Sequence, residues 1–372
     1  MALDYAFTEE HEELRATVRA FLQEKSDENA VREHMASERG FDPAVWSQMA
    51  EQLGLAGLII PEEYGGAGMG YVELLVVMEE LGRALACSPF LGSSVFAANA
   101  LLHCADETAR KELLIAIAAG RTLATVAYAE PNGRWDMAGV ELRAEKKGDG
   151  FELTGTKCFV LDGHTADQIL VVARSDDGLE LFQVAGDAEG LGRRSLPELD
   201  LTRKLAQIEL SGTPATKLSS GDQSQALEHV LGLTLAALAA EQVGGAQACL
   251  DMAVDYAKTR LQFGRPIGSY QAIKHMCADM LVSVEFARSA ATKACFAAAE
   301  EAEDFLEAAA TAKAFCSDSY FRAAADTIQI HGGMGFTWEH PAHLYFKRAK
   351  ASDLLFGDAA HHREELAKHL GI

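Results

Sequence analysis

Residues 259–280 read TRLQFGRPIGSYQAIKHMCADM, and their first half ends a long helical pattern. Upstream, from about 223 to 262, the chain is rich in alanine and leucine and holds no proline, which favours one long helix. FGRPIG (263–268) then supplies two glycines and a proline, and the helix must stop there. Helical patterns resume near 270–298 and 304–331. HGGMGFTWEHP (331–341) is a second break, and shorter helices are expected to close the chain.

Working outward toward the N-terminus, the texture changes between about 121 and 222. TLATVAYAE, VELRAEKKGDGFELTGTKCFV, DQILVVARS, LELFQVAG and LAQIELSG are short β-rich runs, separated by the turn signals GDG, DGH and SDDG. They predict a compact antiparallel β-unit, a small barrel or sandwich. From Phe7 to about Gly120 the pattern is helical again. Thr8 precedes the acidic turn EEHEEL as an N-cap should, and Leu14, Val18, Phe21 and Leu22 follow at helical spacing. Further helices are expected over 43–53 and 71–83, with the glycine-rich loop LIIPEEYGGAGMG between them. The chain therefore reads as three zones: a helical domain over 1–120, a β domain over 121–222 and a helical domain over 223–372. Helices, then strands, then helices is an α+β order, not a doubly wound one. No GxGxxG follows a strand, so a nicotinamide site is not expected.

Composition narrows the classes further. With 33 Lys and Arg against 55 Asp and Glu, the formal charge is −22, which argues against nucleic-acid binding. Seven cysteines without CxxC or Cys/His metal spacing read as reduced, buried thiols in a reducing cytosol, and no metal site is expected. The stretch MALDYAFTEEHEEL has no basic region followed by an apolar one, so no signal peptide is expected. Residues 230–250 are the most apolar stretch. They contain Glu241, Gln242 and Gln247, which predicts a buried helix and not a membrane span.

The segments 259–280 and 328–350 (IQIHGGMGFTWEHPAHLYFKRAK) strongly resemble the two C-terminal signatures of the acyl-CoA dehydrogenase family, in its bacterial FadE-like branch. Domain order and length agree with that resemblance over essentially the whole chain. It implies an N-terminal helical domain, a central antiparallel β-barrel or sandwich and a C-terminal four-helix bundle. It also implies FAD, gripped at the diphosphate by the R-x-x-F-G segment, here Arg260, Gln262 and Phe263, with Gln271 beyond. Gln329, Gly332 and Gly333 belong to the second signature. Arginine offers a forked cation to diphosphate oxygens, and glycines let backbone approach them. His331 is expected to line the dinucleotide tail or a subunit contact, and neither it nor His340 is expected to catalyse. In VAYAEPNGRWD, Glu130 and Pro131 are retained where the family has T-E-P, but Ala129 replaces the threonine and Gly133-Arg134-Trp135-Asp136 replaces the usual Ser-Asp. In GTKCFVLDG, Phe159 keeps the aromatic expected over the flavin, whereas Leu161 replaces a hydroxyl residue.

The family reaction removes the α-proton of an acyl-CoA thioester with a carboxylate and passes the β-hydride to flavin N5. Electrons then go to an external acceptor, such as an electron-transfer flavoprotein. The usual base position, placed from Pro341 and Lys350, falls on Phe356; the alternative position used by some members falls on Thr234. Neither can take a proton. Between His229 and Asp251 the one charged residue is Glu241, set among alanine, leucine and glycine. A lone acid in an apolar helix is a candidate base, with Asp358 the runner-up. The competing reading of Glu241 is a buried salt bridge or hydrogen-bonded carboxylate. The family resemblance implies a dimer or tetramer. The altered segments leave open a non-catalytic or half-catalytic subunit paired with a related chain, and also a flavin oxidase or monooxygenase. Gly244 and Gly245 suggest room for a branched or steroid-derived acyl group.

Overall fold

The computed structural model describes residues 6–148 and 150–372. Residues 1–5, which begin the stretch read for a signal peptide, and Asp149 of the GDG turn lie outside the described residues. Six helices come first: α1 (Glu9–Lys25), α2 (Glu28–Ala36), α3 (Pro43–Glu51), α4 (Tyr71–Arg83), α5 (Ala98–Cys104) and α6 (Glu107–Ala118). Seven strands follow: β1 (Ala124–Ala127), β2 (Ala144–Lys147), β3 (Gly150–Leu161), β4 (Gln168–Ser175), β5 (Gly178–Ala185), β6 (Leu191–Ser195) and β7 (Leu205–Lys217). Then come α7 (Ser224–Thr259), a hairpin of β8 (Leu261–Gln262) and β9 (Arg265–Pro266), α8 (Gln271–Ala299), α9 (Phe305–His331), α10 (Ala342–Leu354) and α11 (Ala359–Leu370). N-terminal helices, a central sheet and a C-terminal helical bundle is the order that the sequence predicts.

Local chemistry explains the boundaries. Thr8 caps α1 by accepting from His11 N–H, and the His11 ring returns a bond to the Thr8 N–H at 3.0 Å. A histidine thus completes a capping box usually closed by glutamate. Asp42 caps α3, with Pro43 in the first turn, and Asp106 caps α6. The break after α7 is a tight hairpin whose tip residues, Phe263 and Gly264, have φ of +51° and +80°.

The chain folds into two compact units that do not coincide with the three zones read from texture. One holds the residues up to Glu33, Tyr71–Ala86 and Leu235–Ile372; the other holds His34–Gly70 and Cys87–Thr234. In the second unit the strands run β1-β4-β5-β7-β3-β2, with β6 also on β7. All strand pairs are antiparallel except β1 with β4, which is parallel. The reason is connection length: β1 reaches β4 only after the long excursion through β2 and β3, which a parallel pair requires. Strand β7 pairs β3 and β6 over most of its length and β5 at Thr216 and Lys217. Val160, Ile169, Val171, Phe182, Val184 and Ile208 form the apolar core of this unit.

In the first unit, small residues let helices approach closely. Ala246, Cys249 and Ala253 of α7 meet Met280 and Val284 of α8 and Tyr320, Ala323 and Ala324 of α9. The α4–α7 contact is closer still. A Cβ on Gly82 would lie 2.0 Å from the Glu241 carbonyl oxygen, and one on Gly244 would lie 1.8 Å from that of Glu79. A Cβ on Gly245 would strike the Tyr320 ring at 2.4 Å. Gly244 and Gly245 therefore seat a helix and a ring, and the expectation that they widen an acyl pocket is corrected. Helix α7 is long and apolar enough to cross a membrane by composition, yet most of that stretch is buried within the chain.

Helix α4 also buries two carboxylates. Glu79 meets Arg15 of α1 at 2.5 Å and Arg288 of α8 at 2.6 Å, and Glu80 meets Arg19 through two bonds of 2.6 and 2.8 Å. Three guanidinium groups thus answer two anions that would otherwise be costly. Gly244→Ala is expected to destabilise the protein by about 3 kcal/mol or more, because backbone cannot yield as a side chain can. Gly333→Ala, where an added Cβ meets nothing within 4 Å, should cost less than about 0.5 kcal/mol. Urea titrations of both variants check this; equal losses would disprove the close-packing account.

Candidate functional site

The candidate cofactor residues divide between the two units. Arg260, Gln262, Phe263, Gln271, Gln329, Gly332 and Gly333 lie in the first, Glu130 and Phe159 in the second.

In the first unit the two signature segments meet. The Tyr256 ring, one turn before Arg260, stacks on His331 at 4.2 Å, and His331 leads into Gly332 and Gly333. Arg260 is exposed and forms no ion pair among the described residues. Phe263 is 91% exposed at its hairpin tip. An added Cβ at Gly332 or Gly333 would meet no atom within 4 Å. A free guanidinium, an open glycine backbone and an uncovered aromatic ring suit a diphosphate joined to an aromatic base. Gln262, Gln271 and Gln329 are exposed beside these groups. His331 is committed within the fold. It is buried, its Nδ1 donates to the Thr327 carbonyl at 2.8 Å, and its other neighbour is the His340 ring at 4.3 Å.

In the second unit, Phe159 sits at a β3 irregularity with φ of +56° and is 42% exposed. A phenylalanine held at positive φ is strained, and such strain marks sites where a side chain is re-aimed. Trp135 packs 5.6 Å from Phe159, Tyr128 6.1 Å from Trp135, and Phe96 6.0 Å from Tyr128. The segment that lost the family's hydroxyl residues thus gained an aromatic row. Glu130 is different. Its carboxylate accepts from Glu141 N–H at 3.0 Å, Leu142 N–H at 2.9 Å and buried Lys157 Nζ at 2.7 Å. Three donors from within the β unit thus occupy that carboxylate. Burial pulls Lys157 down to about 8, against the opposing pull of Glu130.

Glu241, the candidate base, is 5% exposed, and its Oε1 lies 2.9 Å from Nη1 of Arg348, itself 3% exposed. This is the buried salt bridge that was the competing reading. Arg348 lies in FKRAK, and no spacing in the sequence links it to Glu241. Thr234 is fully buried and bonds back to the Val230 carbonyl at 2.9 Å. Asp358 caps α11, accepting from His361 N–H at 2.8 Å, and that bond holds its carboxyl below the usual range. A carboxylate so held is a poor proton acceptor, and Asp358, the runner-up base, stands in the structure as a helix cap.

Phe356 is 2% exposed with φ of +62°, followed by Gly357 at +99°. Two side chains that the sequence did not single out pin this turn. Lys313 Nζ donates to the carbonyls of Asp353 at 2.8 Å and Gly357 at 2.9 Å, and His362 Nε2 lies 3.1 Å from the Phe356 carbonyl. Burial lowers Lys313 to about 8, and burial followed by the Lys313 charge lowers His362 to about 3.

Three domain models of the acyl-CoA dehydrogenase family match nearly the whole chain: the N-terminal domain over 8–121, the middle domain over 125–212 and the C-terminal domain over 225–371. The chain belongs to the acyl-CoA dehydrogenase family. Membership makes it an oxidoreductase and implies a flavin. It is 37% identical over 361 residues to acyl-CoA dehydrogenase IpdE2 of Mycolicibacterium smegmatis, covering 97% of this chain and 98% of that one. It is 29% identical to acyl-CoA dehydrogenase FadE27 of Mycobacterium tuberculosis, with 99% of each covered. Among solved structures it resembles a variant of the steroid ACAD Tcur3481-Tcur3483, with TM-score 0.90, 32% identity and 98% of both chains covered. It also resembles the ChsE4-ChsE5 complex of Mycobacterium tuberculosis, with TM-score 0.91, 29% identity and 99% of both covered.

Two expectations follow from these geometries. Glu241→Leu and Arg348→Met should each lower stability by about 3–5 kcal/mol, while the two together should recover much of that loss. A double-mutant cycle by urea denaturation reads the coupling, and additive losses would show that the pair does not act as one. For His362 the folded value, about 3, lies below the ordinary 6.5. The unfolded chain therefore takes the proton first as pH falls. Its contribution is complete above pH 6.5 and is lost toward pH 3, at about 1.4 kcal/mol per pH unit. His362→Gln should flatten that part of the stability profile, and an unchanged profile would refute the assignment.

Proposed function

We propose that this chain works in FAD-dependent α,β-dehydrogenation of an acyl-CoA thioester as one subunit of a two-chain enzyme, and that a related subunit provides the catalytic carboxylate. One observation carries this reading: the single candidate base in the apolar helix is paired with Arg348 at 2.9 Å, while Phe356 and Thr234 occupy the two positions where family members place a carboxylate. Two structures that this chain resembles carry paired chain names, Tcur3481-Tcur3483 and ChsE4-ChsE5, which supports a heteromer. The first is described as a steroid ACAD, which supports a steroid-derived acyl group.

FAD supplies the hydride acceptor. Arg260 and the open backbone at Gly332 and Gly333 would hold the diphosphate, in part that of a neighbouring subunit's FAD, and Phe263 would pack against an aromatic face of the nucleotide. Gln262, Gln271 and Gln329 add hydrogen bonds. Phe159, backed by Trp135, covers the flavin ring. Glu241 and Arg348 fix α7 against α10 and take no proton in the reaction. Electrons leave to an external carrier such as an electron-transfer flavoprotein, and the seven free thiols suit the cytosol.

The test is purification of the tagged chain alone and from its native cell, with FAD bleaching followed for a panel of acyl-CoA thioesters. The chain alone is expected to leave the flavin unbleached. Material from the native cell is expected to contain a second family member and to bleach. Bleaching by the chain alone that disappears in Glu241→Gln would overturn this reading and restore Glu241 as the base. Arg260→Ala is expected to lower FAD content at least about tenfold, the loss of a charge-assisted diphosphate contact; full retention would remove Arg260 from the cofactor site.

A further inference from the structure

Strand β3 and the segment before Pro131 are stitched together where Phe159 stands. Cys158 N–H donates to the Ala129 carbonyl at 2.8 Å, and Lys157 Nζ donates to the Tyr128 carbonyl at 3.1 Å as well as to Glu130. Just beyond, β3 shifts its register on β7 between Lys157 and Val160, and Phe159 takes φ of +56°. A phenylalanine keeps that backbone only where its surroundings impose it.

The loop after Pro131 closes on itself. Gly133 N–H donates to the Glu130 carbonyl at 3.1 Å, and Asn132 Nδ2 donates to the Gly139 carbonyl at 2.7 Å. Gly139 N–H donates to the Asp136 carboxylate at 2.8 Å, and Arg134 Nη2 meets the same carboxylate at 2.8 Å. An added Cβ on Gly139 would lie 2.5 Å from that of Arg134, so the loop is also closely packed. Buried Met137 anchors it in the interior. Between these ties stands Trp135, its ring 5.6 Å from that of Phe159 at an interplanar angle of 34°. Trp135 also packs 6.1 Å from buried Tyr128, which lies 6.0 Å from buried Phe96. A ring held by the core is thus laid on a strained ring that is 42% exposed.

We infer that Trp135 is a positioning residue, which acts through Phe159 by holding that ring in the strained orientation offered to the flavin. This rests on the flavin reading above and deepens it. In these two segments Ala129 and Leu161 stand where the family pattern has hydroxyl residues, so stacking takes over orientation that hydrogen bonds would otherwise give. Stacked aromatic pairs fix relative orientation as well as burying area. Because the loop is tied by its own bonds, the indole is presented with little further loss of chain entropy.

The test is a mutant cycle on the FAD-loaded protein with whatever subunit co-purifies. FAD affinity is read by equilibrium ultrafiltration and the flavin's surroundings by visible circular dichroism. Trp135→Ala is expected to weaken FAD binding about threefold to tenfold and to alter the flavin dichroism. Trp135→Phe, which keeps a ring, is expected to preserve both. Trp135→Leu, which keeps bulk without a ring and guards against a collapsed loop, is expected to follow Trp135→Ala. In a Phe159→Ala background, Trp135→Ala is expected to add almost no further loss, since its effect passes through Phe159. Losses that multiply in the double variant, a Leu variant that behaves as wild type, or a Phe variant as weak as Ala would overturn this inference alone, as would FAD binding that no variant changes. A wild type that binds no FAD in these preparations would overturn it together with the flavin reading.

Discussion

The ion pair between Glu241 and Arg348 is the constraint around which the C-terminal helices are arranged. Helix α7 is almost wholly apolar around residue 241, so a carboxylate there must be answered by a charge or be neutralised. Arg348 answers it from α10, and both partners are nearly inaccessible. A buried pair of this kind adds little net stability compared with apolar packing, but it penalises any arrangement that separates its members. It therefore specifies how α10 must lie on α7. The same carboxylate cannot easily serve as a proton acceptor without leaving Arg348 uncompensated.

Next to that pair, backbone meets backbone. Gly82 and Gly244 let α4 and α7 approach until a carbonyl of each fills the space where the other's Cβ would stand. The approach brings Glu79 and Glu80 into the interior, and Arg15, Arg19 and Arg288 converge on them from α1 and α8. Close packing and charge compensation are therefore one device. The glycines permit the contact, the contact buries the acids, and the acids fix the register of α1 and α8. In a chain with formal charge −22, these arginines are placed where an unanswered anion would cost most.

Much of the fold was legible because it is written in local terms. The start of α4 at Tyr71 and its end at Arg83 follow from periodicity between glycine-rich breaks, and α7, α8 and α9 follow from the proline and glycine breaks at 263–268 and 331–341. The Thr8 cap could be read from a single residue type. What escaped the sequence was pairwise. Nothing in the spacing shows that Arg348 meets Glu241 across 107 positions, that Lys157 occupies Glu130, or that Gly244 faces a carbonyl instead of a pocket. The parallel β1–β4 pair escaped for the same reason, since strand patterning carries no partner. A lone acid and an adjacent pair of glycines are ambiguous until their neighbours are known. For Glu241, Glu130 and Gly244 only the folded chain supplies that neighbour.

That pattern gives a criterion for separating scaffold from site. The polar groups whose capacity the fold already fills are Glu130 with three donors, Glu241 with Arg348 and Asp358 with the α11 N-terminus. Lys313 and His362 fill theirs on the carbonyls around Phe356. That turn keeps a firmly held left-handed backbone while carrying a side chain that cannot exchange protons. By contrast, Arg260 forms no ion pair among the described residues, the backbone at Gly332 and Gly333 is open, and Phe263 is uncovered. Exposed groups of this kind, not engaged by the scaffold, are the ones open to the proposed cofactor.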